Sequence, residues 1–121
     1  MKRKLVRNAL LLGLALLTAY AGLKIWRRIE PALLEPRLVA AARPGDISML
    51  SSTTCSDCVV AHQLLDRLKV PYDECFIELD ADCAARFKAL KSLGTPTFVV
   101  RGERQIGLGL KRMVVALEAP R

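Results

Sequence analysis

Apolar residues run almost unbroken from Leu5 to Ile25, interrupted by Arg7, Asn8, Thr18, Tyr20 and Lys24. A helix that crosses a bilayer needs about 20 mostly apolar residues. The cleanest stretch, Ala9 to Leu23, is shorter than that, so the span must recruit its flanks. Arg7 and Lys24 do so by carrying their charges toward the two interfaces. Tyr20 and Trp26 suit an aromatic belt. Two other readings stay open. Met1-Lys2-Arg3-Lys4, the Leu-rich run and Ala19-Tyr20-Ala21 also describe a cleaved signal peptide, although the run continues through Leu23, Ile25 and Trp26. A buried core helix is the third reading, but a helix apolar on all sides is hard to cover in so small a protein.

Pro31, Pro36 and Pro44 follow, and proline breaks helix and central strand alike. Residues 27–45 therefore read as a linker, with room for a short amphipathic helix around Ala32 to Ala42. Residues 46–121 alternate. Ile47 to Leu50 predicts a buried strand. Val59, Val60, Leu64, Leu65 and Leu68 recur at helical spacing and predict a helix over Ser56 to Leu68. Tyr72 to Leu79 predicts a strand with Cys75, Ile77 and Leu79 on one face. Asp80 or Asp82 caps a helix over Cys83 to Leu93, with Gly94 at its end. Pro96 to Val100 and Arg104 to Gly107 form a hairpin around Arg101-Gly102-Glu103. Leu110 to Leu117 closes the chain as a helix. The first strand–helix–strand unit predicts a parallel crossover.

Composition sharpens this layout. The chain has 121 residues, 19 Lys+Arg against 12 Asp+Glu, and is 52% hydrophobic. That length excludes a multidomain enzyme, and that hydrophobicity excludes intrinsic disorder. The excess charge is confined to residues 1–43, which hold nine basic and two acidic residues. Residues 44–121 hold ten of each. The folded part therefore lacks the basic surface that nucleic acid requires. The charge flanks the apolar run instead, as in a single-pass anchor of a bacterial inner membrane. The short, highly charged N-terminus favours an inside tail and a periplasmic C-terminal domain.

The chemistry lies in the cysteines. Cys55-Ser56-Asp57-Cys58 falls at a strand-to-helix turn. There the free N–H groups and the positive dipole end of the helix stabilise a Cys55 thiolate, which is the attacking form of sulfur. Cys58 lies on the same helix face, placed to attack a mixed disulfide formed at Cys55. Asp57 opposes thiolate formation, so the activation expected is mild. Gly94-Thr95-Pro96-Thr97 opens a later strand, where proline is tolerated at the first position. A cis Thr95–Pro96 bond turns that loop toward the cysteines, with the Thr95 N–H and C=O free to pair with a substrate peptide. Cys75 and Cys83 leave three readings open: two buried apolar side chains, a structural disulfide, or a second redox or metal pair. His62 reads as an ordinary helix histidine, and Phe76, Phe87 and Phe98 read as core.

From Ile47 to Leu117, about 60% of the chain, these features resemble a glutaredoxin or thioredoxin-fold oxidoreductase. The resemblance rests on Ser-Thr-Thr-Cys55-Ser-Asp-Cys58, Val70-Pro71-Tyr72, Gly94-Thr95-Pro96-Thr97-Phe98 and Gly107 in that order. It implies an α/β, thioredoxin-like four-stranded mixed sheet flanked by helices, here preceded by an N-terminal transmembrane helix. It also implies Cys55 as nucleophile, Cys58 as resolving thiol, a cis Pro96, and a substrate held around Thr54, Ser56, Asp57, Thr95 and Pro96. The implied activity is reduction or exchange of protein or small-molecule disulfides, with lipid as the N-terminal helix's partner and no metal or organic cofactor. Glutathione is the family's usual reductant, but the positions that would hold it differ here. No basic residue precedes Cys55, and Gly107-Leu108-Gly109-Leu110 lacks the expected acidic helix cap. A different reading of the same residues is a zinc or copper(I) delivery module built on Cys55 and Cys58, with His62 or Cys75 and Cys83.

Overall fold

The computed structural model describes residues 1–120. Eight elements follow one another: α1 (Lys2–Ala41), β1 (Ile47–Ser51), α2 (Ser56–Arg67), β2 (Asp73–Phe76), α3 (Ala81–Ala89), β3 (Thr97–Val100), β4 (Glu103–Ile106) and α4 (Leu110–Glu118). The chain divides into two compact units, Met1–Leu33 and the residues from Leu34 onward. In the first unit every residue is exposed. Its helix is long and apolar enough to cross a membrane.

The second unit is built on a four-stranded sheet in the order β2-β1-β3-β4. β1 runs parallel to β2, with Met49 opposite Glu74 and Leu50 opposite Cys75. β1 and β3 are antiparallel, as are β3 and β4. This is the four-stranded mixed sheet that the resemblance to glutaredoxins and thioredoxins implies.

Strand alternation sorts the side chains into two layers. Ile47, Met49, Phe98 and Val100 face the main core, where they meet Ala61 and Leu65 of α2 and Met113, Val114 and Leu117 of α4. The opposite face carries Leu50 and Cys75, and α3 covers it. A disulfide joins Cys75 to Cys83 of α3, with Cα atoms 5.9 Å apart. Arg86 of α3 also reaches Ser48 Oγ at 3.2 Å. Closing a loop of that size restricts the unfolded chain by about 2.6 kcal/mol. Replacing both cysteines by alanine is therefore expected to lower unfolding free energy by about 2–3 kcal/mol, read from the denaturant midpoint under non-reducing conditions.

Several local expectations need correction. The linker predicted over residues 27–45 is helical to Ala41, through both Pro31 and Pro36. An interior proline costs a helix about 3 kcal/mol. Past Leu33, that cost is offset by burial. Leu38 is fully buried and Ala42 nearly so, with Leu34 and Ala41 packed beside them. Arg37 and Glu118 pair on the surface, as do Glu35 and Arg67. The proline signal was sound locally, and tertiary packing outweighed it.

The buried stripe of α2 is Cys58, Ala61 and Leu65, whereas Val59 and Val60 are exposed. β2 stops at Phe76, and Leu79 is exposed because the chain turns there to place Asp80 as the cap of α3. The cap accepts from the N–H groups of Asp82 and Cys83. α3 ends earlier than predicted. Ser92 N–H bonds to Phe87 O and Lys91 N–H to Lys88 O, with Lys91 at φ 50°. That is a Schellman ending with lysine, and not Gly94, in the left-handed position.

Candidate active site

The turn after β1 delivers the two cysteines to the start of α2. Cys55 is the N-cap residue, with extended backbone, and its Sγ accepts the Cys58 N–H at 3.1 Å. A sulfur in this position takes up one of the orphan donors of the first helical turn. The same contact stabilises negative charge when the bond opens. Cys55 and Cys58 are joined as a disulfide, with Cα atoms 5.3 Å apart. They differ in access. Cys55 is half-buried, while Cys58 is 3% exposed and belongs to the buried stripe of α2. Cys55 is therefore the more accessible of the two sulfurs.

A cleft of about 180 Å³ opens beside the pair. Val59 and Phe76 supply apolar wall, and Ser52, Thr53, His62 and Glu74 supply the polar groups. Phe76 thus faces this cleft, while Phe98 alone of the three phenylalanines is fully buried. Thr54, Ser56 and Asp57 are exposed around the motif.

Glu78 holds the turn. Its carboxylate accepts from Ser52 Oγ and, at 3.1 Å, from the Thr53 N–H. Chiefly the Ser52 bond, helped by Thr53, holds the Glu78 carboxyl below the usual glutamate range. A carboxylate whose pKa is depressed by folding stabilises the fold above its unfolded pKa, and the contribution vanishes as pH falls through the folded value. Thermal stability is therefore expected to fall below about pH 4.5 more steeply in the native chain than in Glu78→Gln, and to be equally pH-dependent in both above pH 6.

The Thr95–Pro96 bond is cis. In the antiparallel register Leu50 lies opposite Thr97. Pro96 therefore sits at the end of the sheet where β1 gives way to the cysteine turn. Pro96 is buried and its carbonyl accepts the Gly107 N–H at 2.8 Å. Thr97 Oγ1 donates to Gly94 O at 2.6 Å and pairs with Ser92 Oγ. The loop is thus fastened to its own neighbours. Among the described residues, neither the amide nor the carbonyl of Thr95 takes part in a turn or loop hydrogen bond.

Four contributors were not legible in the sequence: Glu78, and the three partners of His62, which are Glu74, Tyr72 and Asp66. Glu74 reaches the cleft because β2 pairs with β1 in a register that puts it beside Met49. His62 carried a weak signal, since Cys58, His62 and Asp66 recur every four residues and share a helix face. Among the described residues, no group of three or more His, Cys, Asp or Glu side chains is arranged to hold a metal ion.

Residues 47–104 match the glutaredoxin family. A variant of the thioredoxin-like protein BC3987 is 27% identical, with a TM-score of 0.54 over 60% of this chain and 95% of that one. Methanoredoxin of Methanosarcina acetivorans is 25% identical, with a TM-score of 0.52 over 67% of this chain and 93% of its own. A glutaredoxin of Methanosarcina mazei, 21% identical with a TM-score of 0.51, covers 62% of this chain and 80% of its own and shares the fold. No curated protein matches the chain. The family match runs from β1 into β4, and the β2-β1-β3-β4 sheet with its Cys-x-x-Cys at the head of α2 gives the second unit a thioredoxin-like fold similar to that of the glutaredoxins.

Proposed function

We propose that the protein is a membrane-tethered dithiol–disulfide oxidoreductase acting on protein disulfides. The observation that carries this reading is the asymmetric Cys55–Cys58 pair: an accessible sulfur at the helix cap, bonded to a buried one a single turn on. In the reducing direction the Cys55 thiolate attacks a substrate disulfide. Cys58 then attacks Cys55 and releases the substrate as a thiol. The reverse order oxidises a substrate dithiol. Direction follows the reduction potential of the pair against its surroundings. Thr95, with both backbone groups unengaged at the same end of the sheet, pairs with the substrate backbone, and Thr54, Ser56 and Asp57 border it.

The exposed apolar helix of residues 1–33 supports a tether to lipid. The Cys75–Cys83 disulfide supports a compartment that permits such bonds, which in a bacterium is the periplasm. Equilibration of the full chain with graded thiol buffers tests the redox reading. A single two-electron transition, lost in Cys58→Ala, is expected, and absence of any transition overturns it. Protease added to intact spheroplasts tests the placement, with digestion of the C-terminal unit expected.

A further inference from the structure

Charge is unevenly spread over the second unit. Residues 57–82, which carry α2, β2 and the head of α3, hold seven acidic and two basic side chains. Residues 83–112, from α3 into α4, hold one acidic and seven basic. The sheet order keeps the two sets apart, with β2 at one edge and β4 at the other. The cleft beside the disulfide lies on the acidic side, where Glu74 and Phe76 of β2 line it. Among the described residues, no Lys or Arg lines that cleft. Glu74 accepts from Ser51 Oγ at 2.7 Å, and its other oxygen lies 3.0 Å from His62 Nδ1. Asp66 Oδ2 lies 3.1 Å from His62 Nε2. One imidazole, even when protonated, does not neutralise two carboxylates. Glu78 is met by the Ser52 hydroxyl and the Thr53 N–H, both uncharged donors. Asp57 is exposed within the motif itself. The basic side chains of this half lie elsewhere. Arg67 and Lys69 stand at the far end of α2 from the cysteines, and Arg67 pairs with Glu35 at 3.2 Å.

A cleft lined by one sign of charge draws in opposite charge and repels its own. At about 180 Å³ it is also smaller than the sites of about 300–1,000 Å³ that enclose a whole small molecule, and suits a single long side chain. On the redox reading of Cys55 and Cys58, we propose that this site takes protein disulfides with Lys or Arg beside the attacked cysteine and disfavours anionic disulfides. The basic side chain seats in the cleft, with its apolar stem against Val59 and Phe76 and its charge toward Glu74 and Glu78. Asp57 meets the same charge on approach. Glutathione disulfide, with two carboxylates for each ammonium, falls in the disfavoured class. Substrate choice thus follows from the carboxylates around the cysteines and not from the cysteines themselves.

The test uses the full chain in uncharged detergent micelles, reduced at Cys55 and Cys58, and a set of peptides each closed by a disulfide. The peptides differ only in carrying Lys, Gln or Glu beside the cysteines. Each rate of reduction is divided by that of dithiothreitol, an uncharged dithiol, on the same peptide, which removes the peptide's own reactivity. At low salt the Lys peptide is expected to react about tenfold or more faster than the Glu peptide on this scale, within the range of electrostatic steering. Glutathione disulfide should group with the Glu peptide. Raising ionic strength to about 1 M, where screening acts within about 3 Å, should bring the ratio close to unity. Asp57→Asn and Glu78→Gln should each lower the low-salt ratio by about threefold. A merely structural defect slows every peptide alike and leaves the ratio where it was. A Lys-to-Glu ratio near unity at low salt overturns the proposal and leaves the redox reading intact, as does a ratio that neither variant moves. If no peptide is reduced, the redox reading falls first, and this proposal with it.

Discussion

Cys55→Ser is expected to abolish catalysed reduction of a protein disulfide, lowering kcat/KM by about a thousandfold or more. The reason is positional as well as chemical. A serine hydroxyl is not ionised near neutral pH and does not exchange with disulfides, and Cys58 does not replace Cys55. Cys58 is 3% exposed and sits below the helix cap, so an incoming disulfide meets Cys55 first. Cys58→Ser should behave differently. The first attack survives, and the mixed disulfide at Cys55 accumulates instead of resolving. The measurement is turnover of insulin disulfides together with mass analysis of the trapped adduct. A metal-delivery module built on the same cysteines gives the opposite pattern: no turnover in the native chain and stoichiometric metal after purification. Full retention of turnover in Cys55→Ser would exclude the assigned order of attack.

Leu38→Ala is expected to destabilise the second unit by about 2–5 kcal/mol, the usual cost of emptying a buried leucine site. Leu38 is fully buried, and its neighbours in the core include Ile47, Met49 and Leu65. For a domain this small, such a loss is a large share of total stability. The same reasoning sets the boundary of the folding unit. A fragment beginning at Asp46 lacks the helical turns that carry Leu34, Leu38 and Ala42. It should unfold at a distinctly lower denaturant concentration than one beginning at Leu34. The surface pairs Arg37–Glu118 and Glu35–Arg67 are solvent-screened and matter little beside that burial. Equal midpoints for the two fragments would show that the end of α1 is not part of the core.

Much of the architecture was readable along the chain because it rests on local rules. The order of strands and helices followed from periodicity, and the hairpin from Arg101-Gly102-Glu103. The Cys-x-x-Cys carried its own meaning once it fell at the junction of a strand and a helix. Its neighbour in space, Thr95-Pro96, was recognisable as a strand opening. The departures share one cause. Pro31 and Pro36 argued for a break, yet α1 runs on to Ala41 and Leu38 near its end joins the core with residues of α2 and α4. Val59 and Val60 looked like core, yet the sheet meets α2 through Cys58, Ala61 and Leu65.

The proposed chemistry rests on residues close together in sequence: two cysteines a helical turn apart, and the turn that puts the first of them at a helix cap. Everything that surrounds that chemistry was decided by folding. Glu78 reaches Ser52 and Thr53 across twenty-five or more residues, and Glu74 meets His62 across twelve. The physical reason is that period, capping and turn preference act over a few neighbours, whereas register between β1 and β2 and the burial of α1 depend on which distant surfaces exclude water together.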